Sequence, residues 1–240
     1  MIALKVDNLT KQYKNITAID HLSFSIISGE CFALLGQNGA GKTTTMKILS
    51  CLIKQTDGDA FVFEKSVLKQ PLVIKRKLGI SPQETAVAAK LTVEENLYLM
   101  ARVYGMKKSE AAKATEEMLI KYHLNDKRKE RGKNLSGGMQ RRLSLAMALI
   151  STPSVLFLDE PTLGLDVRAR RELWDEIKRL KGKMTILLTT HYLEEAEAIA
   201  DRIGIMDKGR MKALGTSDEI KRLTGKGCLE DAFLALTEEE

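Results

Sequence analysis

The chain alternates between two periodicities. In ALKVDNL (residues 3–9) and HLSFSI (21–26) apolar and polar positions alternate, which predicts half-buried strands joined by turns. ECFALLG (30–36) is instead a short, unbroken apolar run, as a parallel strand covered on both faces requires. TTTMKILSCLI (43–53) follows with helical spacing. Residues 84–124 read as helical. Thr92 and Glu95 form a capping box ahead of NLYLMARVY, and a second helix is predicted from Ser109 to Leu124. Strand and helix patterns alternate again from Leu135 onward, with apolar strands in VLFLD (155–159) and MTILLTTH (184–191), so the fold class is α/β. In the tail GCLEDAFLALTEEE, Leu229, Phe233 and Leu236 fall on one helical face, and the three final glutamates (238–240) read as frayed.

Composition narrows this picture only slightly. The 240 residues suit one large domain, with ordinary apolar and charged fractions. No apolar run is long enough to cross a bilayer and MIALKVDNLTKQYK lacks a secretory pattern, so a cytoplasmic location is expected. Cys31, Cys51 and Cys228 are odd in number and scattered, which suggests neither disulfides nor zinc but small buried residues. The net charge of +6 is densest in KRKERGK (127–133), read as a solvated loop. It lacks the interleaved aromatics of a single-strand binder, and no direct nucleic-acid partner is expected.

Candidate chemistry starts at GQNGAGKTT (36–44). Gly36, Gly39 and Gly41 allow a tight turn whose backbone N–H groups converge on an anion, at the start of the predicted helix. Between a strand and a helix this is a phosphate-binding loop, formed by Gly36, Asn38, Gly39, Ala40, Gly41, Lys42, Thr43 and Thr44. Lys42 reaches the β- and γ-phosphates of a nucleotide, and the Thr43 hydroxyl is a ligand for Mg²⁺. The strand VLFLD ends in two acids. Asp159 is placed to hold Mg²⁺, and Glu160 to orient or deprotonate a water. In LSGGMQRR (135–142), Ser136 caps a helix whose apolar face includes Leu143, Met147 and Ile150. Gly137 and Gly138 leave its N-terminus bare for a second anion.

Taken in order, the phosphate loop, Gln83 in SPQE, LSGGMQ (135–140), LFLDEP (156–161), GLD (164–166) and TTH (189–191) resemble the ATP-binding subunit of ABC transporters over essentially the whole chain. The resemblance implies a P-loop ATPase: a mainly parallel core and an antiparallel β subdomain from residues 1–83 and 151–215, an inserted helical subdomain at 84–150 carrying LSGG, and a C-terminal helical tail at 216–240. It implies that ATP and Mg²⁺ are bound and ATP hydrolysed. Tyr13, in the basic loop KQYKN, stacks on adenine; Gln83 contacts Mg²⁺ or the attacking water; His191 contacts the γ-phosphate. Ser136, Gly137, Gly138 and Asp166 act across a head-to-tail dimer with a second copy, closing on the other copy's ATP. Met139 departs from the commoner glutamine of LSGGQ without touching the hydrolytic residues.

The resemblance also implies a multi-span membrane permease as partner, with this subunit peripheral on the cytoplasmic face. The ending LEDAFLALT resembles export-type cassettes. The alternative is a soluble ABC ATPase acting on nucleic acid or ribosomes. Its usual coiled coils, zinc modules or second cassette are missing here, as is a guanine-reading NKxD motif.

Overall fold

A computed structural model describes residues 1–238. The chain opens with a long hairpin, β1 (Ile2–Tyr13) and β2 (Ile16–Ile27), whose inward positions Leu4, Val6, Leu9, Leu22 and Ile26 are buried. The all-buried strand β3 (Cys31–Leu35) leads into helix α1 (Lys42–Leu49). α1 stops four residues short of the expected Ile53, because Cys51 adopts a left-handed backbone, φ 57°. Strands β4 (Asp57–Val62) and β5 (Lys65–Ser66) then complete an antiparallel sheet of order β2-β1-β4-β5. Short helix α2 (Pro71–Lys75) and strand β6 (Leu78–Ser81) follow.

Two helices come next, α3 (Val93–Val103) and α4 (Lys108–Lys121). The capping box of Thr92 and Glu95 forms as expected. Residues 84–92 do not join the helix. The buried Asn96 side chain accepts from Ala88 N at 2.7 Å and donates to the carbonyls of Ala88 and Leu91, satisfying the loop backbone that a helix would otherwise satisfy itself. The basic stretch 127–133 is also more than a solvated loop. Arg128 binds Glu94 and Glu116, each at 2.9 Å, while Glu130 O and Arg128 O accept the first N–H groups of α3. It ties α3 to α4.

Helix α5 (Gly137–Leu149) is buried almost all round from Leu143 on, rather than along one stripe, because it fills the space between α3 and β6. The remaining elements are β7 (Val155–Asp159), α6 (Val167–Leu180), β8 (Thr185–Thr190), α7 (Leu193–Ile199), β9 (Arg202–Asp207), β10 (Arg210–Gly215), α8 (Ser217–Thr224) and α9 (Leu229–Thr237). They complete a six-stranded sheet of order β10-β9-β3-β8-β7-β6, parallel except for the β9–β10 hairpin. Its central strands β3, β7 and β8 are buried at every position, as the unbroken apolar runs predict.

The C-terminal ends of β3, β7 and β8 lie side by side, in register from Leu35 to Thr190 and from Asp159 to Thr189. The loops that leave them carry the chemistry, as is usual for an open α/β sheet. In α9, Leu229 is buried, and Phe233 and Leu236 pack on the same core, so the tail docks as expected; Glu239 and Glu240 lie outside the described residues. Of the cysteines only Cys31 is fully buried, which pushes its thiol up to about 12. Cys228 is exposed instead, since it caps α9 through Sγ.

Candidate nucleotide site

Between β3 and α1 the chain wraps a cavity of about 410 Å³, lined by Asn38, Gly39, Ala40, Gly41, Lys42, Thr43 and Thr44 and closed by Gln83, Glu160 and His191. Gly41 caps α1 with φ 100°, and a Cβ there would lie 2.5 Å from Ala18 O on β2. Only glycine fits that approach. No side chain caps the helix, and the first main-chain bond back into the loop is Thr45 N to Gly41 O. The N–H groups of Lys42, Thr43 and Thr44 are therefore those a helix start leaves without an internal partner. With the dipole behind them they suit a polyphosphate, so the cradle fits ATP. Gly36 sits at the end of β3, where a Cβ would meet Met206 O at 2.5 Å.

The acids arrive from β7. Asp159 is buried and accepts at Oδ1 from Thr43 Oγ1 at 3.2 Å and from Thr189 Oγ1 at 2.5 Å. A hydroxyl and a carboxylate meeting at the cavity are all-oxygen donors, which fits a hard divalent cation such as Mg²⁺ completed by phosphate oxygens. Glu160 is also buried. Its Oε1 lies 3.5 Å from Lys42 Nζ and its Oε2 2.6 Å from His191 Nδ1. Lys42 also donates to Gly36 O at 2.7 Å and Gln37 O at 3.1 Å. Burial holds the Lys42 amine below its ordinary value, against the raising effect of Glu160 and then Asp159.

Glu160 leaves the strand with φ 48°, a left-handed conformation that costs a non-glycine residue about 1–2 kcal/mol. Its N–H is held by Thr189 O and Thr189 Oγ1, both at 3.1 Å. The strain aims the carboxylate at the cavity instead of continuing the strand.

LSGG lies elsewhere in the same chain. Ser136 caps α5 by accepting from Met139 N at 3.4 Å, and Asp166 caps α6 by accepting from Ala169 N at 2.9 Å. Together with Gly137 and Gly138 they line a second hollow of about 240 Å³, which shares no lining residue with the first. A Cβ built at Gly137 meets nothing within 4 Å, and at Gly138 only Ala169 Cβ at 3.2 Å, with neither glycine at positive φ. Packing within the chain does not demand Gly137, whereas at Gly138 the Ala169 methyl would have to yield by a few tenths of an ångström.

The expected residues thus fall into two groups, and Tyr13 joins neither. It ends β1 instead of lying in a loop, pairs with Ile16, and is half exposed with Lys11 Nζ 4.7 Å above its ring. Ala18, Leu163, Thr189 and Arg141 were not foreseen. Arg141 carried a signal: one arginine on an otherwise apolar helix face shared with Leu145 and Ala148.

Beneath this layer, Glu195 on α7 is fully buried and accepts from Trp174 Nε1 at 3.1 Å. Burial raises its carboxyl above the ordinary 4.5, and the neighbouring Glu160 charge adds to this. The folded state therefore binds this proton more tightly than the unfolded chain. The Glu195 contribution is full below about 4.5 and is lost as pH rises through the raised value. Glu195→Gln is expected to become more stable than the parent as pH rises from 5 to 8 in urea titrations. A stability difference that does not change with pH would contradict this.

Residues 19–163, more than half of the chain, match the ABC transporter family. The chain belongs to that family. It is 40% identical over 228 residues to the daunorubicin/doxorubicin resistance ATP-binding protein DrrA of Streptomyces peucetius, covering 95% of this chain and 69% of that one. To the linearmycin resistance ATP-binding protein LnrL of Bacillus subtilis it is 39% identical over 241 residues, covering 96% and 77%. Among solved structures it resembles the ATP-binding cassette MJ0796, a dimer in a post-hydrolysis state bound to ADP and Pi. The TM-score is 0.81 with 28% identity, over 89% of this chain and 98% of that one. The fold is the ABC ATPase fold, and the cassette binds and hydrolyses ATP. The soluble, nucleic-acid-directed alternative is not favoured by these relatives.

Proposed function

We propose that this cassette is one of two identical motor subunits that close head to tail on two ATP molecules and drive export through a separate multi-span membrane permease. The observation that carries this reading is the separation of the two hollows. One has the phosphate cradle, Glu160 and, where Thr43 meets Asp159, oxygens suited to Mg²⁺; the other has a helix N-terminus fronted by Gly137, which serves no packing need within the chain. A γ-phosphate seated on Lys42 of one copy leaves one side for the Ser136–Gly138 segment of the other. Closure is then linked to ATP, and loss of the γ-phosphate removes the bridge.

Within each site the chain's own groups divide the work. Lys42 and the loop N–H groups hold the phosphates, and Glu160, oriented by His191 Nδ1, accepts a proton from the attacking water. Gln83 and His191 flank the γ-phosphate position from opposite loops. Mg²⁺ held by Thr43, Asp159 and Gln83 would offset charge on the β- and γ-oxygens. Tyr13 would offer its ring to adenine.

No helix among the described residues is long and apolar enough to cross a membrane. We place the subunit on the cytoplasmic face, held there by its partner. The drug-resistance names of DrrA and LnrL and the LEDAFLALT tail favour export over import. Capture of tagged Glu160→Gln protein with ATP from detergent-solubilised membranes tests this. A multi-span protein in matching amount is expected; ribosomes or DNA-repair proteins in its place would overturn the transport reading.

A further inference from the structure

The guanidinium of Arg141 sits at the junction of three segments. It donates to Pro82 O at 2.7 Å, Gln83 O at 2.9 Å and Glu160 O at 3.1 Å, and the residue is only 4% exposed. Among the described residues no carboxylate is in hydrogen-bond contact with it, and these three bonds go to main-chain carbonyls. Two belong to the loop that carries Gln83, and the third to the residue whose carboxylate faces the water position. We propose that Arg141 is a positioning residue that fixes Glu160 and the Gln83 loop of its own chain, tying each hydrolytic site to the helix whose start closes the other. This rests on the dimer and on the role of Glu160 proposed above.

Three observations support the assignment. Glu160 has a left-handed backbone that a non-glycine residue keeps only when its surroundings hold it, and those restraints include Thr189 on its N–H and, on its carbonyl, both Leu163 N at 3.2 Å and Arg141, which reaches it from α5. Arg141 lies five residues after Ser136 on α5, about 7 Å along the axis, so a shift at the helix start reaches the guanidinium within one rigid element. Arg141 reaches the three carbonyls from two nitrogens of one rigid fork, an arrangement that the single nitrogen of lysine on its flexible stem does not reproduce. Burying a cation is unfavourable in itself, and Asp159, Glu160 and Glu195 offset that from around it.

The geometry makes a directional prediction. Arg141 should act on hydrolysis by its own chain's Glu160, not on the ATP that its own Ser136 touches. Arg141→Lys keeps the charge and most of the volume, and should bind ATP with unchanged affinity. Two mixed dimers, each assembled with ATP from differently tagged copies, separate the possibilities. In the first, Arg141→Lys and Glu160→Gln share one chain, and the other chain is unaltered. In the second, the substitutions lie on opposite chains. Each dimer retains one site with Glu160, and the reference is Glu160→Gln paired with the unaltered chain.

Single-turnover hydrolysis should match the reference in the first dimer. In the second it should be slower by about tenfold to a hundredfold, the effect expected of a small misplacement. A reversed pattern would assign Arg141 to the LSGG contact with the partner's nucleotide and overturn the proposal. Equal slowing in both dimers would make it a general packing residue, and no slowing in either would remove it from the reaction; both overturn the proposal. If the lysine variant loses ATP binding, Arg141→Gln in the same two dimers applies the same discrimination. Hydrolysis by the Glu160→Gln homodimer at the parent rate would instead overturn the role of Glu160, and the proposal with it.

Discussion

Glu160→Gln is expected to lower ATP turnover by about 10²- to 10⁴-fold, the range over which a positioned general base contributes. The amide keeps the shape of the side chain, so the left-handed backbone, the Thr189 restraint and the Arg141 contact are undisturbed. What is lost is a proton acceptor 2.6 Å from His191 and 3.5 Å from Lys42. Removing the negative charge also relieves repulsion with an incoming triphosphate, so ATP affinity should hold or rise. Steady-state hydrolysis and equilibrium binding on the same preparation check both halves. A variant that turns over at the parent rate would move water activation elsewhere, and His191 would be the next candidate.

Lys42→Ala should act on binding first. Charge-assisted hydrogen bonds are the strong ones, and loss of one or two to phosphate oxygens is expected to weaken ATP binding by about tenfold to several hundredfold. A second effect follows from the buried pair. With Lys42 gone, Glu160 keeps His191 but loses the ammonium beside it, in a place where an uncompensated charge is unfavourable. Residual hydrolysis should therefore fall by more than the weakened binding alone accounts for. Calorimetric titration measures the first effect and hydrolysis at saturating ATP the second. Unchanged ATP affinity would mean that the loop N–H groups alone hold the nucleotide.

Most of the fold was legible because burial and period are written directly into the chain. The runs ECFALLG, VLFLD and MTILLTT become the three central buried strands, and the Thr92–Glu95 pair starts α3. The errors arose where side chains replace secondary structure as the partner of the backbone. Asn96 holds residues 84–92 as a loop, and Arg128 turns a basic run into a tie between helices. Neither act leaves a periodic signature.

The site divides in the same way. Residues whose chemistry faces the cavity were readable from type and spacing: Lys42, Thr43, Asp159, Glu160 and His191 converge within hydrogen-bonding distances or line one hollow. Residues that act through the main chain were not. Arg141 and Thr189 hold carbonyl and N–H groups of Glu160, and only coordinates reveal that Glu160 needs holding. Glu195 carried no such signal either, and it is the structure that shows it as a buried acid on Trp174.

The central claim is that the two hollows of one chain serve two different ATP molecules. Light scattering of Glu160→Gln protein with ATP and Mg²⁺, combined with counting of bound nucleotide, addresses it most directly. The expected result is a dimer holding two ATP, which reverts to monomers each binding one ATP when Ser136→Arg is added to the same protein. A species that stays monomeric with ATP, or a dimer indifferent to Ser136→Arg, would contradict the account.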